Sequence, residues 1–491
     1  MQQKLHEPTW SRLGFSNPPE QDAGKDIGIV IIDTIRPHNT IRHLGSRIKY
    51  ISVQNDLSVE CREIAFEEPN DSDGDKGEHG LMAVLALSHE PFEFEGIKYT
   101  GLSPASNFIV LNHLAFSEGE GERLKRGIDY ILERRQEWNI KIILSMGWHA
   151  LDNSVLLKNT NENSTVKALA SAVKSGTLVI CANGNTRLAN IMPPIEYLAV
   201  GGYNDHGSVQ IDVHSTYPDE PWGRNGDGHI RPDVLAPRVY LPIPYCETLE
   251  KPNELSYFWG TSGASTLVTG VCAYLLSKYP NLQIDTLRNA LVDFGIPLVG
   301  YDNLAPRVNV SNVIKALNDG YQKRGVPHHF SPIDIQDPYI SIISNDPIER
   351  GLAFSILVKQ ERCSREELWE FAHDDSPVVR KIAIWALQKP KDANERKLYW
   401  ENLSKEKEGG VRGWYAYGLL QDATKNEVDF WITWATDLNW TVRWCVNGYL
   451  DKFPEFPKLE KTYDPDSIFD KALPIYEWYE KYKVDIETQV K

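Results

Sequence analysis

The sequence has few cysteines, and it lacks both a long apolar run and an excess of positive charge. Its 491 residues include six cysteines: Cys61, Cys181, Cys246, Cys272, Cys363 and Cys445. They are scattered, without the close spacing of zinc ligands or of a disulfide scaffold, so we expect buried thiols in a reducing compartment. No stretch approaches the ~20 apolar residues of a membrane-spanning helix, and the first residues lack the apolar core of a secretory signal. These absences favour a cytoplasmic protein without a membrane partner.

Negative charge exceeds positive charge, since 68 Asp and Glu accompany 52 Lys and Arg, for a formal net charge of −16. Proteins that bind duplex nucleic acid usually carry a basic surface, so we expect no nucleic-acid partner. The 34 glycines and 29 prolines are too few for a collagen-like chain, and the hydrophobic fraction of 41% is that of a globular protein. At ~100–200 residues per domain, the length predicts two to four domains.

The first 320 residues alternate between two kinds of pattern. Short apolar runs typical of buried strands lie at 27–33, 108–111, 140–144, 177–181 and 197–200. Helical patterns lie at 81–88, 122–138, 164–175 and 262–279. This alternation predicts an α/β fold, a parallel sheet with helices on both faces. In such folds the chemical groups lie at the carboxyl ends of the strands.

The strongest local signal for chemistry is the segment from Gly260 to Gly270, in which small residues surround Ser262 and an apolar helix follows. At the first turn of a helix, a serine oxygen lies near unpaired backbone N–H groups and the positive end of the helix dipole. Asp33 ends an apolar strand, and His79 directly precedes a helical run. A histidine accepts the proton of an attacking serine at neutral pH, and a buried carboxylate orients it. Taken singly, a helix cap, a loop histidine and a turn residue are the plainer interpretations.

In their order along the chain, Asp33, then His79, then Ser262, the three residues and the segments around them resemble the subtilisin-like serine peptidases. The segments that resemble motifs of that family are Ile29–Thr34, His79-Gly80, Gly101–Leu111, Leu144–Gly147, Val179–Asn185, Arg231–Pro237 and Pro306–Asn309. The resemblance covers about 26–317. It departs from the family pattern at Ile35, at Leu81-Met82 and at Gly263–Thr266, which leaves the catalytic side chains in place.

The resemblance implies a role for each residue of the site. Ser262 would be the nucleophile, His79 the general base and then the general acid, and Asp33 the group that orients His79. Asn185 would donate its side-chain amide to the oxyanion, with a turn residue as the alternative. The substrate would lie against Ser145, Met146, Gly147, Asn183 and Gly184. We therefore predict an intracellular serine endopeptidase acting on a protein or peptide; the alternative is a catalytically silent scaffold or sensor that binds peptides.

A second pattern begins after residue 320. Four arginines, Arg350, Arg380, Arg412 and Arg443, each open a similar apolar helix, at spacings of 30, 32 and 31 residues. This period resembles short HEAT-like repeats, with an ordinary helical bundle as the alternative. Because they recur at equivalent positions, we expect the arginines to be structural within each repeat. We predict an arm at 1–25, a subtilisin-like peptidase domain at 26–320, a linker at 321–345 and a HEAT-like α-helical repeat domain at 346–491.

One acidic segment resembles the start of a metal-binding loop. Asp71-Ser72-Asp73-Gly74-Asp75 begins like a calcium loop, but Lys76 and Met82 occupy the glycine and final glutamate positions. We expect a solvated acidic loop and no cofactor, with calcium as the alternative.

An intracellular peptidase also needs restraint. The candidates are residues 8–20, lying over the cleft, and the repeat domain, which we expect to bind a regulatory partner or the protein substrate.

Overall fold

The computed structural model describes most of the chain. The described residues are 7–35, 38–63, 78–94, 96–113, 120–146, 164–185, 193–205, 207–209, 215–216, 223–224, 227–244, 256–298, 305–328, 331, 333–435, 437 and 440–453. In these ranges, no helix combines the length and the apolar character that crossing a membrane requires.

Both strands and helices occur as far as residue 318. The strands are β1 (Gly28–Ile32), β2 (Ile48–Val53), β3 (Val59–Glu63), β4 (Phe92–Phe94), β5 (Ile97–Tyr99), β6 (Asn107–Asn112), β7 (Ile140–Ser145), β8 (Leu178–Ala182), β9 (Leu198–Asn204), β10 (Ser215–Thr216), β11 (Gly223–Arg224), β12 (Ile230–Arg231), β13 (Val234–Pro237), β14 (Leu241–Ile243) and β15 (Ser256–Phe258). The helices are α1 (Thr9–Arg12), α2 (Glu78–Ser88), α3 (Glu120–Glu133), α4 (Ser164–Lys174), α5 (Gly260–Lys278), α6 (Ile284–Asp293) and α7 (Val310–Asn318).

The main sheet has the order β10-β9-β8-β7-β1-β6-β2-β3, with β13 also paired to β9. Its inner strands are parallel, and the antiparallel pairs lie at its ends, β2 with β3 and β9 with β10. Helices α2 and α5 pack on one face through a large apolar core, and α3 and α4 pack on the other face through a second core. The predicted α/β class is therefore confirmed.

The position of β1 determines where a site can form. β6 lies on one side of β1 and β7 on the other, so successive connections lead away from β1 in opposite directions. The carboxyl ends of these strands therefore border a crevice, which is where open α/β sheets bind ligands.

The N-terminal segment packs into the same domain. Arg12 is buried and its guanidinium pairs with Asp205 through two hydrogen bonds of 2.7 Å. Leu13 and Phe15 join the main apolar core, and the carbonyls of Leu13 and Gly14 accept backbone hydrogen bonds from α7. These contacts of the described arm residues, 7–25, are structural contacts with the domain. The arm and domain boundaries stay predictions.

The remainder of the described chain is helical. Its helices are α8 (Pro338–Ser341), α9 (Pro347–Lys359), α10 (Arg365–Phe371), α11 (Pro377–Leu387), α12 (Ala393–Lys405), α13 (Gly409–Gln421), α14 (Val428–Thr433) and α15 (Trp440–Lys452). They share one apolar core, separate from those around the sheet. An all-α region therefore follows the α/β domain, as predicted.

The recurring arginines link neighbouring helix pairs. Two-pronged ion pairs of 2.8–2.9 Å join Arg350 to Asp374, Arg380 to Glu406 and Arg412 to Asp437. Each carboxylate lies in the segment between one pair of helices and the next, and the expected structural role of the arginines within each repeat stays a prediction. The side chain of Arg443 lies outside the described residues.

Candidate active site

Asp33 and His79 meet at the carboxyl end of β1. The backbone N–H of Asp33 donates to the Leu111 carbonyl on β6 at 3.1 Å, which extends the sheet to this residue. Its Oδ2 lies 2.5 Å from Nδ1 of His79, and its Oδ1 accepts the Thr34 backbone N–H at 2.6 Å. The Asp33 side chain is 14% exposed and that of His79 is 49% exposed. The carboxylate is thus enclosed while one edge of the imidazole faces outward.

The close approach of α2 to β1 depends on Gly80. A Cβ at this position would lie 2.2 Å from the Thr34 carbonyl oxygen and 3.2 Å from Cβ of Asp33. The first of these separations is far shorter than any real contact. Only glycine therefore lets the first turn of α2 bring His79 to the end of the strand.

Ser262 lies in the first turn of α5. The helix starts at Gly260, whose φ of +80° favours glycine, and whose N–H donates to the Arg238 carbonyl at 2.8 Å. Ser262 is 8% exposed, and every residue from Gly260 to Leu276 is buried. This burial explains the small and apolar sequence of the helix.

Phe258 connects His79 to the start of α5. Its ring packs edge-on against the imidazole, with 5.4 Å between ring centroids and an interplanar angle of 80°. The same ring borders Gly263, where an added Cβ would lie 3.6 Å from Phe258 and 2.5 Å from Leu241. Phe258 therefore lies against His79 and also against the first turn of α5, which carries Ser262. Nothing in the sequence patterns singled out Phe258.

The Asn185 carboxamide caps α5. Its Oδ1 accepts the Thr261 backbone N–H at 2.9 Å and the Thr261 hydroxyl at 3.1 Å. Because a backbone N–H requires an acceptor, this contact assigns the oxygen and leaves Nδ2 as a donor. The sequence indicated Asn185 as a donor but gave no sign of its anchor on Thr261.

The predicted substrate-contacting residues lie at the ends of neighbouring strands. Ser145 ends β7, and its side chain and that of Met146 are buried, as is Asn183. The Met146 sulfur lies 3.4 Å from the Thr266 hydroxyl of α5. Gly184 is partly buried, and Gly147 lies outside the described residues. Ser145, Met146 and Asn183 thus lie at the strand ends beside α5, and their predicted contact with a substrate stays a prediction.

The acidic segment 71–75, considered above for calcium, also lies outside the described residues. Among those that are described, no group of three or more His, Cys, Asp or Glu side chains is arranged to hold a metal ion.

The arrangement suits acyl-transfer chemistry. With Nδ1 held by a carboxylate, a neutral imidazole keeps Nε2 as an acceptor for a hydroxyl proton. Since the N–H groups of Gly260 and Thr261 are bound to Arg238 and Asn185, the donors suited to a developing negative oxygen are the Ser262 backbone N–H and Asn185 Nδ2.

Comparison with known proteins identifies the family. Residues 24–301, more than half of the chain, match the Subtilase family. Serine protease AprX of Bacillus subtilis (strain 168) is 24% identical over 285 residues, which are 55% of this chain and 61% of AprX. The match thus spans about three fifths of that relative.

Solved structures of low identity also align with the chain. A mutant protease domain of PatA is 21% identical, with a TM-score of 0.44, and the alignment covers 61% of this chain and 98% of PatA's domain. The PatG macrocyclase in complex with peptide is 18% identical, with a TM-score of 0.45, over 64% of this chain and 98% of PatG's. On the family match over residues 24–301, the chain belongs to the subtilase family of serine proteases.

Proposed function

We propose that this protein is a serine endopeptidase that uses Asp33, His79 and Ser262 as its catalytic triad and Asn185 as an oxyanion donor. The single observation that supports this most is the 2.5 Å contact between His79 and Asp33 at the carboxyl end of the central strand. The anchoring of Asn185 on Thr261, the residue before the serine, supports it further.

Each step of the proposed reaction has a group to perform it. The Ser262 oxygen attacks the substrate carbonyl carbon and passes its proton to Nε2 of His79. The negative oxygen that forms is bound by the Asn185 amide and the Ser262 backbone N–H. The C–N bond then breaks, the leaving amine takes the proton from His79, and an acyl-enzyme remains. A water molecule then attacks the acyl carbon and passes a proton to His79. The ester bond to Ser262 breaks, the Ser262 oxygen takes that proton back, and the carboxylic acid is released.

Labelling with a fluorophosphonate tests the proposal, because this probe reacts only with an activated serine. We expect labelling of the full chain, its loss in Ser262→Ala and its retention in Ser265→Ala. Ser265 is a matched control on the same helix, where its hydroxyl donates to the Ser262 carbonyl at 3.0 Å. If a folded full chain and a chain ending at residue 345 both stay unlabelled, the peptide-binding scaffold is the better account.

We also propose that the region from residue 346 is a HEAT-like repeat domain that recruits a protein substrate or a regulatory partner. Curved helical arrays present long concave surfaces suited to this task, and the periodic ion pairs support a repeating architecture. Deleting 346–491 should leave hydrolysis of a short peptide intact and lower cleavage of a protein substrate. Equal rates on every substrate would remove this part of the proposal.

A cytoplasmic location is proposed from the cysteines. The described ones, Cys61, Cys181, Cys272, Cys363 and Cys445, are free thiols. Burial raises the pKa of Cys181 and of Cys272, so both thiols stay protonated and unreactive. Free thiols are typical of proteins in reducing compartments.

A further inference from the structure

The Arg231-Pro232-Asp233 motif has no part in the chemistry described so far. Asp233 is fully buried, and its Oδ2 accepts the Ala199 backbone N–H at 2.9 Å and Nη1 of Arg231 at 2.5 Å. Nη2 of Arg288, on α6, lies 3.8 Å from the same oxygen. Burial would raise the pKa of the Asp233 carboxyl, but the Arg231 charge, the His229 hydrogen bond and the Arg288 charge hold it below its ordinary value. One buried carboxylate therefore lies against two guanidinium groups.

These two guanidinium groups bind five consecutive carbonyls. Arg231 donates to the carbonyls of Pro193, at 2.8 Å, and Pro194. Arg288 donates to those of Ile195, Glu196 and Tyr197, at 2.9, 3.3 and 3.0 Å. Since the two prolines have no N–H, this stretch cannot pair as a regular strand, and the arginines supply its hydrogen bonds instead.

The clamped stretch leads back into the sheet from the Asn185 side. The chain leaves β8 at Ala182, carries Asn185 and returns through residues 193–197 into β9. At the base, the Asn183 N–H donates to the Val200 carbonyl at 2.8 Å. Residues 186–192 of this connection lie outside the described residues. Of those described, residues 183–185 are held by the sheet and by Thr261, and residues 193–197 are held by the two arginines.

We infer that Arg288 and the Arg231–Asp233 pair are positioning residues that fix residues 193–200 and, through the hydrogen bond from Asn183 to Val200, the oxyanion donor Asn185. The inference rests on the proposed function. A misplacement of a reacting group by ~1 Å costs up to ~100-fold in rate. The guanidinium groups act through the backbone of residues 193–200, whose Val200 carbonyl binds the N–H of Asn183, two residues before Asn185.

Arg288 is the residue to change, because its removal leaves the Arg231–Asp233 ion pair intact. Replacing Asp233 would instead leave two buried guanidinium groups without their carboxylate, which is strongly destabilising. The experiment is a double-mutant cycle of Arg288→Ala and Asn185→Ala in the full chain. The kcat and KM for a fluorogenic peptide are measured separately.

We expect Arg288→Ala to lower kcat about tenfold and to leave KM within about twofold, because a displaced donor affects the transition state most. Asn185→Ala should lower kcat by about 10²–10³-fold, the loss known for one such donor in a subtilisin. In the double variant, kcat should equal that of Asn185→Ala within about twofold. If the two losses multiply instead, Arg288 acts independently of Asn185 and the inference is wrong.

Two further variants control for a purely structural effect. Arg47 is a matched control, because its Nη1 binds the carbonyls of Pro104 and Ser106 at 2.6 and 3.1 Å, in another connection. Arg47→Ala should lower the melting temperature and leave kcat unchanged. Arg288→Lys keeps the charge without the fork, so kcat should fall about threefold, again only when Asn185 is present. This variant replaces Arg288→Ala in the cycle if the latter does not fold.

The outcomes separate the inference from the proposed function. Full activity in Asn185→Ala or Ser262→Ala would contradict the proposed function itself. Loss of activity in those two variants, together with wild-type kcat in Arg288→Ala and Arg288→Lys, would contradict only the positioning role.

Discussion

Asp33 and His79 can touch only because residue 80 has no side chain. The contact between Asp33 Oδ2 and His79 Nδ1 is short, and the carboxylate is largely enclosed. The steric condition for it is set by the neighbouring residue, where an added methyl group would collide with the Thr34 backbone oxygen. A backbone atom at the end of the central strand cannot move aside without moving Asp33 as well.

We therefore expect Gly80→Ala to separate His79 from Asp33. The 2.2 Å collision with the Thr34 carbonyl should move α2 outward, lower kcat at least 100-fold and destabilise the domain by about 1–3 kcal/mol. Peptide hydrolysis and thermal melting measure the two effects. Gly121→Ala on α3 is the control, since its Cβ would lie 3.1 Å from Cβ of Ser164 and far less adjustment is needed. Wild-type kcat in Gly80→Ala would show that the helix can shift without cost.

At this scale the sequence predicts candidate residues but not how the structure holds them. Asp33, His79, Asn185 and Ser262 stand in recognisable local segments, so they were predicted by motif. The anchoring of Asn185 on Thr261 joins residues 76 positions apart, and the Phe258 ring lies on His79 from another element. Contacts of this kind arise from tertiary packing, and no local pattern records them.

At the scale of elements, the presence of a local apolar run separates the strands that the sequence predicts from those that it does not. The predicted strands, such as β1 and β8, are buried along their whole length and form continuous apolar runs. β2 and β3 form the outer hairpin and alternate or are mostly exposed. Lys49, Arg62 and Glu63 interrupt any apolar run there, so the sequence pattern does not predict β2 and β3 as buried strands.

The helical region contains a second series of ion pairs that the repeat pattern of the sequence did not predict. Arg365 binds Glu395 with two hydrogen bonds of 2.8 and 2.6 Å, and Arg396 binds Glu427 with two of 2.5 and 2.6 Å. Each pair joins one helix pair to the next. The hydrogen bonds from Arg365 lower the pKa of Glu395 from 4.5 to about 2.

This shift predicts an acid-sensitive contribution to stability. Because the folded-state pKa of Glu395 is depressed, the contribution is fully present above pH 4.5 and is lost as the pH falls toward 2. Allowing for the partial exposure of Arg365, we expect about 1–2 kcal/mol. Glu395→Gln should therefore destabilise the helical region by that amount at pH 7 and much less at pH 2.5. Urea unfolding followed by tryptophan fluorescence measures the difference.

The matched control for this experiment is Glu370→Gln, the same chemical change at an exposed position of α10. It should have little effect at either pH. A destabilisation by Glu395→Gln that is equal at pH 7 and pH 2.5 would mean that packing, rather than charge, accounts for the loss.

At the scale of the whole molecule, the segment after α7 is fixed at both of its ends. Asp293 on α6 accepts the Tyr321 hydroxyl at 2.5 Å and Nζ of Lys323 at 2.9 Å. Asn289 donates to the Gly325 carbonyl at 2.8 Å. Farther along, Ile333 and Ile335 belong to the apolar core of the helical region. The region predicted as a linker, 321–345, therefore contains anchoring contacts that the sequence pattern did not reveal.

These anchors predict how the connection between the two regions responds to protease. Asp293→Ala removes both the Tyr321 and the Lys323 contacts, and for partly exposed groups we expect a loss of about 1 kcal/mol in the free energy of local opening. Because trypsin cleaves the opened form, the rate of cleavage after Lys323 and Arg324 should rise about fivefold. Asp319→Ala, at the exposed C-terminus of α7, should leave that rate unchanged. The fragments are followed by mass spectrometry, with peptide hydrolysis measured in parallel. Because Asp293 has no role in the proposed reaction, kcat should stay constant, and an unaltered cleavage rate in Asp293→Ala would show that other contacts hold the segment.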